Sequence, residues 1–219
     1  MDLAADALLL DMDGTLVDST SSVVRCWTTW MTEYGLTAAD FARIFTHGRT
    51  AAEIIQDVLP AERLADGGLA AALHRIEELE LTDTEGTVAL PGVAALLGSL
   101  PADRWAVVTS ATRALAEMRL KAAGLSAPLL VAADDVTLGK PDPEPFLLAA
   151  VRLGVDPARC VVVEDAPAGL AAARAAGMRS IAVTTTHTAA QLTADAVVDG
   201  LHRVWATPVP GSLRVRVDL

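Results

Sequence analysis

The sequence predicts an α/β fold: a doubly wound, Rossmann-like parallel sheet with an inserted α-helical domain. Three observations carry that prediction. Short apolar runs alternate with helix-like stretches along most of the 219 residues. The runs are apolar at every position, as strands covered on both faces of a parallel sheet must be. One stretch, 19–84, breaks the alternation and shows helical periodicity alone.

The first run, 7–10, is Ala-Leu-Leu-Leu and stops at Asp11. Runs at 105–108, 129–132, 160–163, 180–183 and 196–198 read as further strands. Between them, 92–99, 113–123, 143–153 and 168–176 read as helices, with Gly124 and Gly177 where a glycine cap would end two of them. Within 19–84, Val24, Trp27, Trp30, Met31 and Tyr34 recur at helical spacing, as do Ile54, Ile55 and Val58. The polar segment 83–86 reads as the return hinge of this insertion. Residues 1–17 and 85–219 are expected to form the core, and 18–84 the insertion. At the end of the chain, 213–219 alternates apolar and charged residues and reads as a late edge strand.

Composition narrows the possible partners. Hydrophobic residues make up 52%, enough for a substantial core and too many for a disordered chain. The net charge of −11 is dispersed, which argues against nucleic acid or an anionic membrane as partner. An anionic small molecule would then need a local positive site, so an isolated Lys in a pocket becomes informative. Cys26 and Cys160 lie in apolar surroundings and read as buried free thiols. No apolar stretch approaches the roughly 18 residues of a membrane span, and no basic leader precedes the first run, so a cytoplasmic protein is expected.

The chemistry gathers at the ends of the expected strands. Asp11-Met12-Asp13-Gly14-Thr15-Leu16-Val17-Asp18 leaves the first one, at the sheet edge where α/β folds bind ligands. Asp11 and Asp13 are separated by one residue, so one carboxylate can attack phosphorus while the other protonates the leaving alkoxide. Gly14 lets the backbone turn sharply beside a ligand. The second strand ends in Thr109-Ser110, whose hydroxyl and N–H groups can donate to phosphoryl oxygens. Lys140 stands between Gly139 and Pro141, a restrained point charge suited to phosphate. Glu164 and Asp165 follow an all-apolar strand, where unpaired charge is costly. Asp11 and Asp165, brought together at adjacent strand ends, offer the hard oxygens that Mg²⁺ prefers.

These four motifs, in this order, resemble the four motifs of the haloacid dehalogenase (HAD) superfamily. The resemblance implies a magnesium-dependent phosphatase acting on a small phosphorylated substrate, a sugar or polyol phosphate. It implies Asp11 as nucleophile and metal ligand, and Asp13 as general acid/base that also binds metal through its carbonyl. Thr109, Ser110 and Lys140 would hold the phosphoryl group. Asp165 would bind Mg²⁺ with Glu164 in support, and Lys140-Pro141 would be a cis peptide. The insertion resembles the superfamily's helical cap of C1 type, with Thr46-His47-Gly48-Arg49 as the loop that would bring His47 and Arg49 to the substrate. A monomer or weak dimer is expected.

Rival readings leave different marks. A phosphoglucomutase of the same superfamily carries a hinge histidine about a dozen residues after the nucleophile, and Val23 and its neighbours offer none. Dehalogenases and phosphonatases lack the second aspartate, which Asp13 supplies here. A catalytically silent binding protein would not need every catalytic position filled.

Overall fold

A computed structural model describes residues 1–37, 40 and 50–219 of the chain. Six parallel strands form the main sheet: β2 (Ala7–Leu10), β5 (Trp105–Val108), β6 (Leu130–Val131), β7 (Cys160–Glu164), β8 (Arg179–Val183) and β9 (Ala196–Val198). Their spatial order is β6-β5-β2-β7-β8-β9. The chain passes from β2 to one side of the sheet and later returns through β7 on the other. That makes the edge above β2 a topological switch point, where ligands of open α/β sheets bind. Leu10 is level with Val107 on one neighbour and Val163 on the other, so the residues after all three strands emerge together.

Strand alternation explains why helices cover both faces. Leu8, Leu10, Val107, Val161 and Val163 point to one face and pack with α5 (Val93–Ser99) and α6 (Arg113–Ala122). Ala7, Leu9, Ala106, Val108 and Val162 point to the other and pack with α7 (Glu144–Leu153) and α8 (Pro167–Ala175). Each expected strand and helix of this core is found within a residue or so of its expected bounds. Gly124 and Gly177 adopt positive φ just past α6 and α8.

The terminal expectation needs correction. The late strand β11 (Ser212–Val217) is not an edge strand of the main sheet. It is the middle strand of a separate antiparallel sheet, between β1 (Asp2–Ala5) and β10 (Val204–Val209). Leu213, Val215 and Val217 are buried against the first core cluster while Arg214 and Arg216 face outward. β10 forms one edge of this sheet, where its Pro208 leaves no central ladder bond unmade.

The helical stretch leaves and rejoins the core side by side. β3 (Val17–Asp18) pairs antiparallel with β4 (Val88–Ala89), Val17 opposite Ala89. Between them lie α1 (Thr20–Glu33), α2 (Ala51–Val58), α3 (Ala61–Leu64) and α4 (Gly68–Thr82). They bury a cluster of their own, built on Trp27, Trp30, Met31, Ile54, Ile55 and Ile76. Trp30 stacks on Tyr34 at 4.3 Å, meets Trp27 edge-on, and donates its indole N–H to Ala72 O at 3.0 Å. Thr50 opens α2 with a reciprocal capping box to Glu53. The polar 83–86 segment lies between α4 and β4, where Asp83 accepts two hydrogen bonds from Arg25. No helix of the described residues is long and apolar enough to cross a membrane. Cys26 and Cys160 are buried and free.

Candidate active site

The sheet edge above β2 carries a cluster of buried charge. Asp11 takes its place because its N–H donates to Val163 O at 3.0 Å, extending the β2–β7 ladder by one step. The chain then turns tightly, with the N–H groups of Leu16 and Val17 donating to Met12 O. Gly14 sits in this turn at φ +82°, and a Cβ there would lie 2.4 Å from an Asp165 carboxylate oxygen. No side chain fits there.

Lys140 arrives from the loop before α7, and its peptide bond to Pro141 is cis, as the resemblance implies. Its ammonium donates to Asp11 Oδ1 at 2.6 Å, Glu164 Oε1 at 2.9 Å and Val108 O at 2.9 Å. All three of its hydrogens are therefore engaged. The other Glu164 oxygen accepts from the N–H groups of Asp165 and Ala166 at 2.8 and 2.7 Å. Gly169, one turn into α8, makes room: its Cβ would overlap Glu164 Oε1 at 1.7 Å.

One carboxylate oxygen each from Asp11, Glu164 and Asp165 lies within 4.8 Å of the others. Three buried acids against one ammonium leave the cluster short of positive charge. Burial pushes the Asp11 carboxyl up to about 7, against the pull of Lys140 and with a further push from Glu164. Burial also holds Asp165 well above the usual carboxylate range, reinforced by Glu164 and Asp11. Burial works against the Lys140 ammonium, but Asp11 and Glu164 outweigh it and raise its pKa. The donor set is all oxygen, the kind that hard cations take. An acidic cluster able to bind metal is present.

Sequence reasoning missed the supports of this cluster. Thr186, after β8, donates to Asp165 Oδ2, and Thr15 donates to Asp165 Oδ1 at 3.3 Å. The His187 ring nitrogen Nδ1 lies 3.1 Å from Asp165 O. Thr185 donates to Gly14 O. A run of threonines after a buried strand is the only signal that pointed there.

The Asp13 carboxylate lines the same cleft but is not one of the three clustered acids. Ser19 Oγ donates to its Oδ1 at 2.6 Å and Arg119 Nη1 to its Oδ2 at 2.8 Å. Arg119 and its second partner, Glu80, were also missed. Thr109 is buried at the end of β5, its hydroxyl accepting from Ala111 N–H at 3.1 Å, with Ser110 beside it at the cleft. The cleft, about 500 Å³, is bounded below by these residues and above by the helices, with Val23, Trp27, Ile54, Leu73, Ile76 and Glu77 on the helical side. Glu77 accepts from Thr112 Oγ1 at 2.7 Å, a further tie between α4 and the core. His47 and Arg49 lie outside the described residues. His74 and Arg75 are turned outward, pairing with Glu78 and with Glu33 and Glu78.

The sequence profile of the haloacid dehalogenase-like hydrolases matches residues 5–177. Hexitol phosphatase A of Escherichia coli (strain K12) is 42% identical over 206 residues, covering 92% of this chain and 94% of the relative. Glycerol-1-phosphate phosphohydrolase 2 of Saccharomyces cerevisiae is 32% identical over 198 residues, covering 85% of this chain and 77% of the relative. Among solved structures, a β-phosphoglucomutase from Clostridium difficile superposes with a TM-score of 0.78 over 90% of this chain and 92% of its own, at 22% identity, a likeness of fold alone. With the sheet, the strand-end carboxylates and these matches in agreement, the chain belongs to the haloacid dehalogenase-like hydrolases.

Proposed function

We propose that the protein is a cytoplasmic phosphatase that hydrolyses small sugar or polyol phosphates through a phosphoenzyme at Asp11. One observation carries this reading: Asp11 Oδ1 lies 2.6 Å from the buried Lys140 ammonium, in a cluster that a cation would complete. A carboxylate so held is restrained and aimed at the cleft, as a nucleophile must be. The names of the hexitol and glycerol phosphate relatives support the substrate class.

The chemistry follows from the side chains. An Asp11 oxygen attacks phosphorus, and the bond from phosphorus to the ester oxygen breaks with its electron pair leaving on that oxygen. Asp13 delivers the proton that makes it an alcohol. Water then attacks phosphorus, Asp13 takes up a proton from it, and the bond to Asp11 breaks to release inorganic phosphate. Thr109 and Ser110 donate to the phosphoryl oxygens, while Lys140, its three hydrogens held by Asp11, Glu164 and Val108 O, sets its positive charge beside them. Asp11, Asp165 and the Asp13 carbonyl would hold Mg²⁺, with Glu164 bracing Asp165 from behind. Bound there, Mg²⁺ supplies positive charge to the transferring phosphoryl group. Residues 18–84 act as the cap that excludes bulk water and meets the substrate's carbon skeleton. Ordered Lys140 and Glu164 contacts would serve a mutase equally, but the missing hinge histidine near Val23 favours transfer to water.

A panel of hexitol, glycerol, 2-deoxyglucose and other monoester phosphates, assayed with Mg²⁺ and ranked by kcat/KM, tests the reading. Sugar and polyol phosphates should lead the ranking. No phosphate release from any member would overturn it.

A further inference from the structure

Two helices each place one charged residue on a stripe that is otherwise apolar. α6 buries Leu115, Ala116 and Leu120 together with Arg119. α4 buries Ala72 and Ile76 together with Glu80. Arg119 Nη1 donates to Asp13 Oδ2 at 2.8 Å and Nη2 donates to Glu80 Oε1 at 3.0 Å. The side chains of Arg119 and Glu80 are 7% and 9% exposed, while that of Asp13 is 23% exposed toward the cleft. A single planar guanidinium thus joins a core loop, a core helix and a helix of the cap.

A tether between lobes would not need this arrangement. Buried ion pairs are often no more stabilising than apolar residues of the same volume, and Thr112 at the start of α6 is already hydrogen-bonded to Glu77 of α4. What the arrangement adds is geometry. The fork of Arg is rigid, so the position of α4 is transmitted to the Asp13 carboxylate with little slack. Ser19 and Arg119 together use two of the roughly four acceptor sites of that carboxylate, which leaves lone pairs free on the cleft side.

We propose that Arg119 is a positioning residue for Asp13, and that Glu80 makes that placement depend on docking of the cap. The proposal rests on Asp13 being the acid/base of the phosphatase reading. While α4 is seated on α6, the carboxylate is held at the leaving-group side of the cleft. When α4 lifts, Arg119 loses its anchor and Asp13 its orientation. Proton transfer to the leaving group is then linked to a closed cap, with water excluded.

The test compares Glu80→Met/Arg119→Met, which leaves neither buried charge unpaired, with Glu80→Gln, which loosens only the anchor. The readout is kcat/KM, which covers phosphorylation and not the later hydrolysis common to all esters. A poor leaving group such as an alkoxide needs the acid, whereas p-nitrophenolate needs it little. We expect the double variant to lose roughly a hundredfold on an alkyl phosphate, with a loss on p-nitrophenyl phosphate at least about tenfold smaller. Glu80→Gln should show the same leaving-group dependence at smaller size and keeps the test open should the double variant not fold. Equal losses on both esters, or none on either, would overturn the proposal. An alkyl loss in the double variant with none in Glu80→Gln would overturn the anchor. A wild-type protein that hydrolyses neither ester would remove the phosphatase reading itself.

Discussion

The two ends of the cleft each share one buried cation among carboxylates, and they do so in different ways. At the sheet edge a point charge, Lys140, spends all its hydrogens on Asp11, Glu164 and Val108 O, and Asp165 is left without an ammonium of its own. At the cap end a planar fork, Arg119, gives one N–H to Asp13 and one to Glu80. Burial also raises the Glu80 carboxyl, with Arg119 pulling it back. The sheet end gathers carboxylate oxygens that could hold a further cation, whereas at the cap end the planar fork fixes the direction of two carboxylates. On the proposed reading, metal and cap position act on different parts of the site.

The largest expected effect breaks the sheet end outright. Asp11→Asn replaces the proposed nucleophile with an amide that cannot form the phosphoenzyme, so turnover should fall by more than about four orders of magnitude. The fold should survive, because the change removes one of three crowded acids. Circular dichroism and phosphate release on one preparation check both halves, and near wild-type turnover would remove the covalent route.

Metal removal sharpens the comparison next. Excess chelator should abolish activity, and Mg²⁺ should restore it. The folded Asp11 carboxyl is raised to about 7 and Asp165 is raised as well. A raised carboxyl favours the metal-free fold at pH below its unfolded value, roughly 4, and that favour is lost as pH rises through about 7. Mg²⁺ needs the ionised groups, so its stabilising effect on Tm should grow from pH 5.5 to pH 7.5. A Tm gain that is flat or falls across that window would mean the cation binds elsewhere. Activity persisting in chelator, with metal carry-over excluded, would count against the site as well.

The same contrast explains what could be read from the sequence. The sheet end was legible because each strand end carries its chemistry contiguously: Asp11 to Asp13 after β2, Thr109 and Ser110 after β5, Glu164 and Asp165 after β7. Parallel register then brings them together with no further information needed. The cap end was not legible in that way. Arg119, Glu80 and Asp13 come from three elements, one residue each, and only their pairing across helices gives them meaning. A trace was present, since Arg119 lies four residues after Leu115 and Glu80 four after Ile76, each a charge on an apolar stripe. Opposite charges on two such stripes are a signal that spacing alone does not announce. The terminal sheet was missed for a related reason: β1 pairs with β11 across nearly the whole chain, and Pro208 disguises β10.

The smallest expected effect tests whether the two ends are independent. Thr186 donates a hydroxyl hydrogen bond to Asp165 Oδ2 and is not among the residues that line the cleft. Thr186→Val keeps the branched shape and removes the donor, leaving Asp165 free to turn. Groups that orient a metal ligand are worth about 10- to 100-fold in metal affinity. Because Thr15 also donates to Asp165, the lower figure applies, and the Mg²⁺ concentration for half-maximal activity should rise about tenfold. At saturating Mg²⁺ the rate should return close to wild type, since the ligand is then held by the ion. Glu80→Gln should do the reverse, lowering kcat/KM on alkyl phosphates while leaving the Mg²⁺ requirement where it was. Titrating Mg²⁺ in both variants on one alkyl ester decides the matter. A Thr186→Val defect that persists at saturating Mg²⁺, or a shifted Mg²⁺ requirement in Glu80→Gln, would mean that Asp13 and Asp165 move as one unit through the turn they share at Gly14, and the division of labour between the two ends would fail.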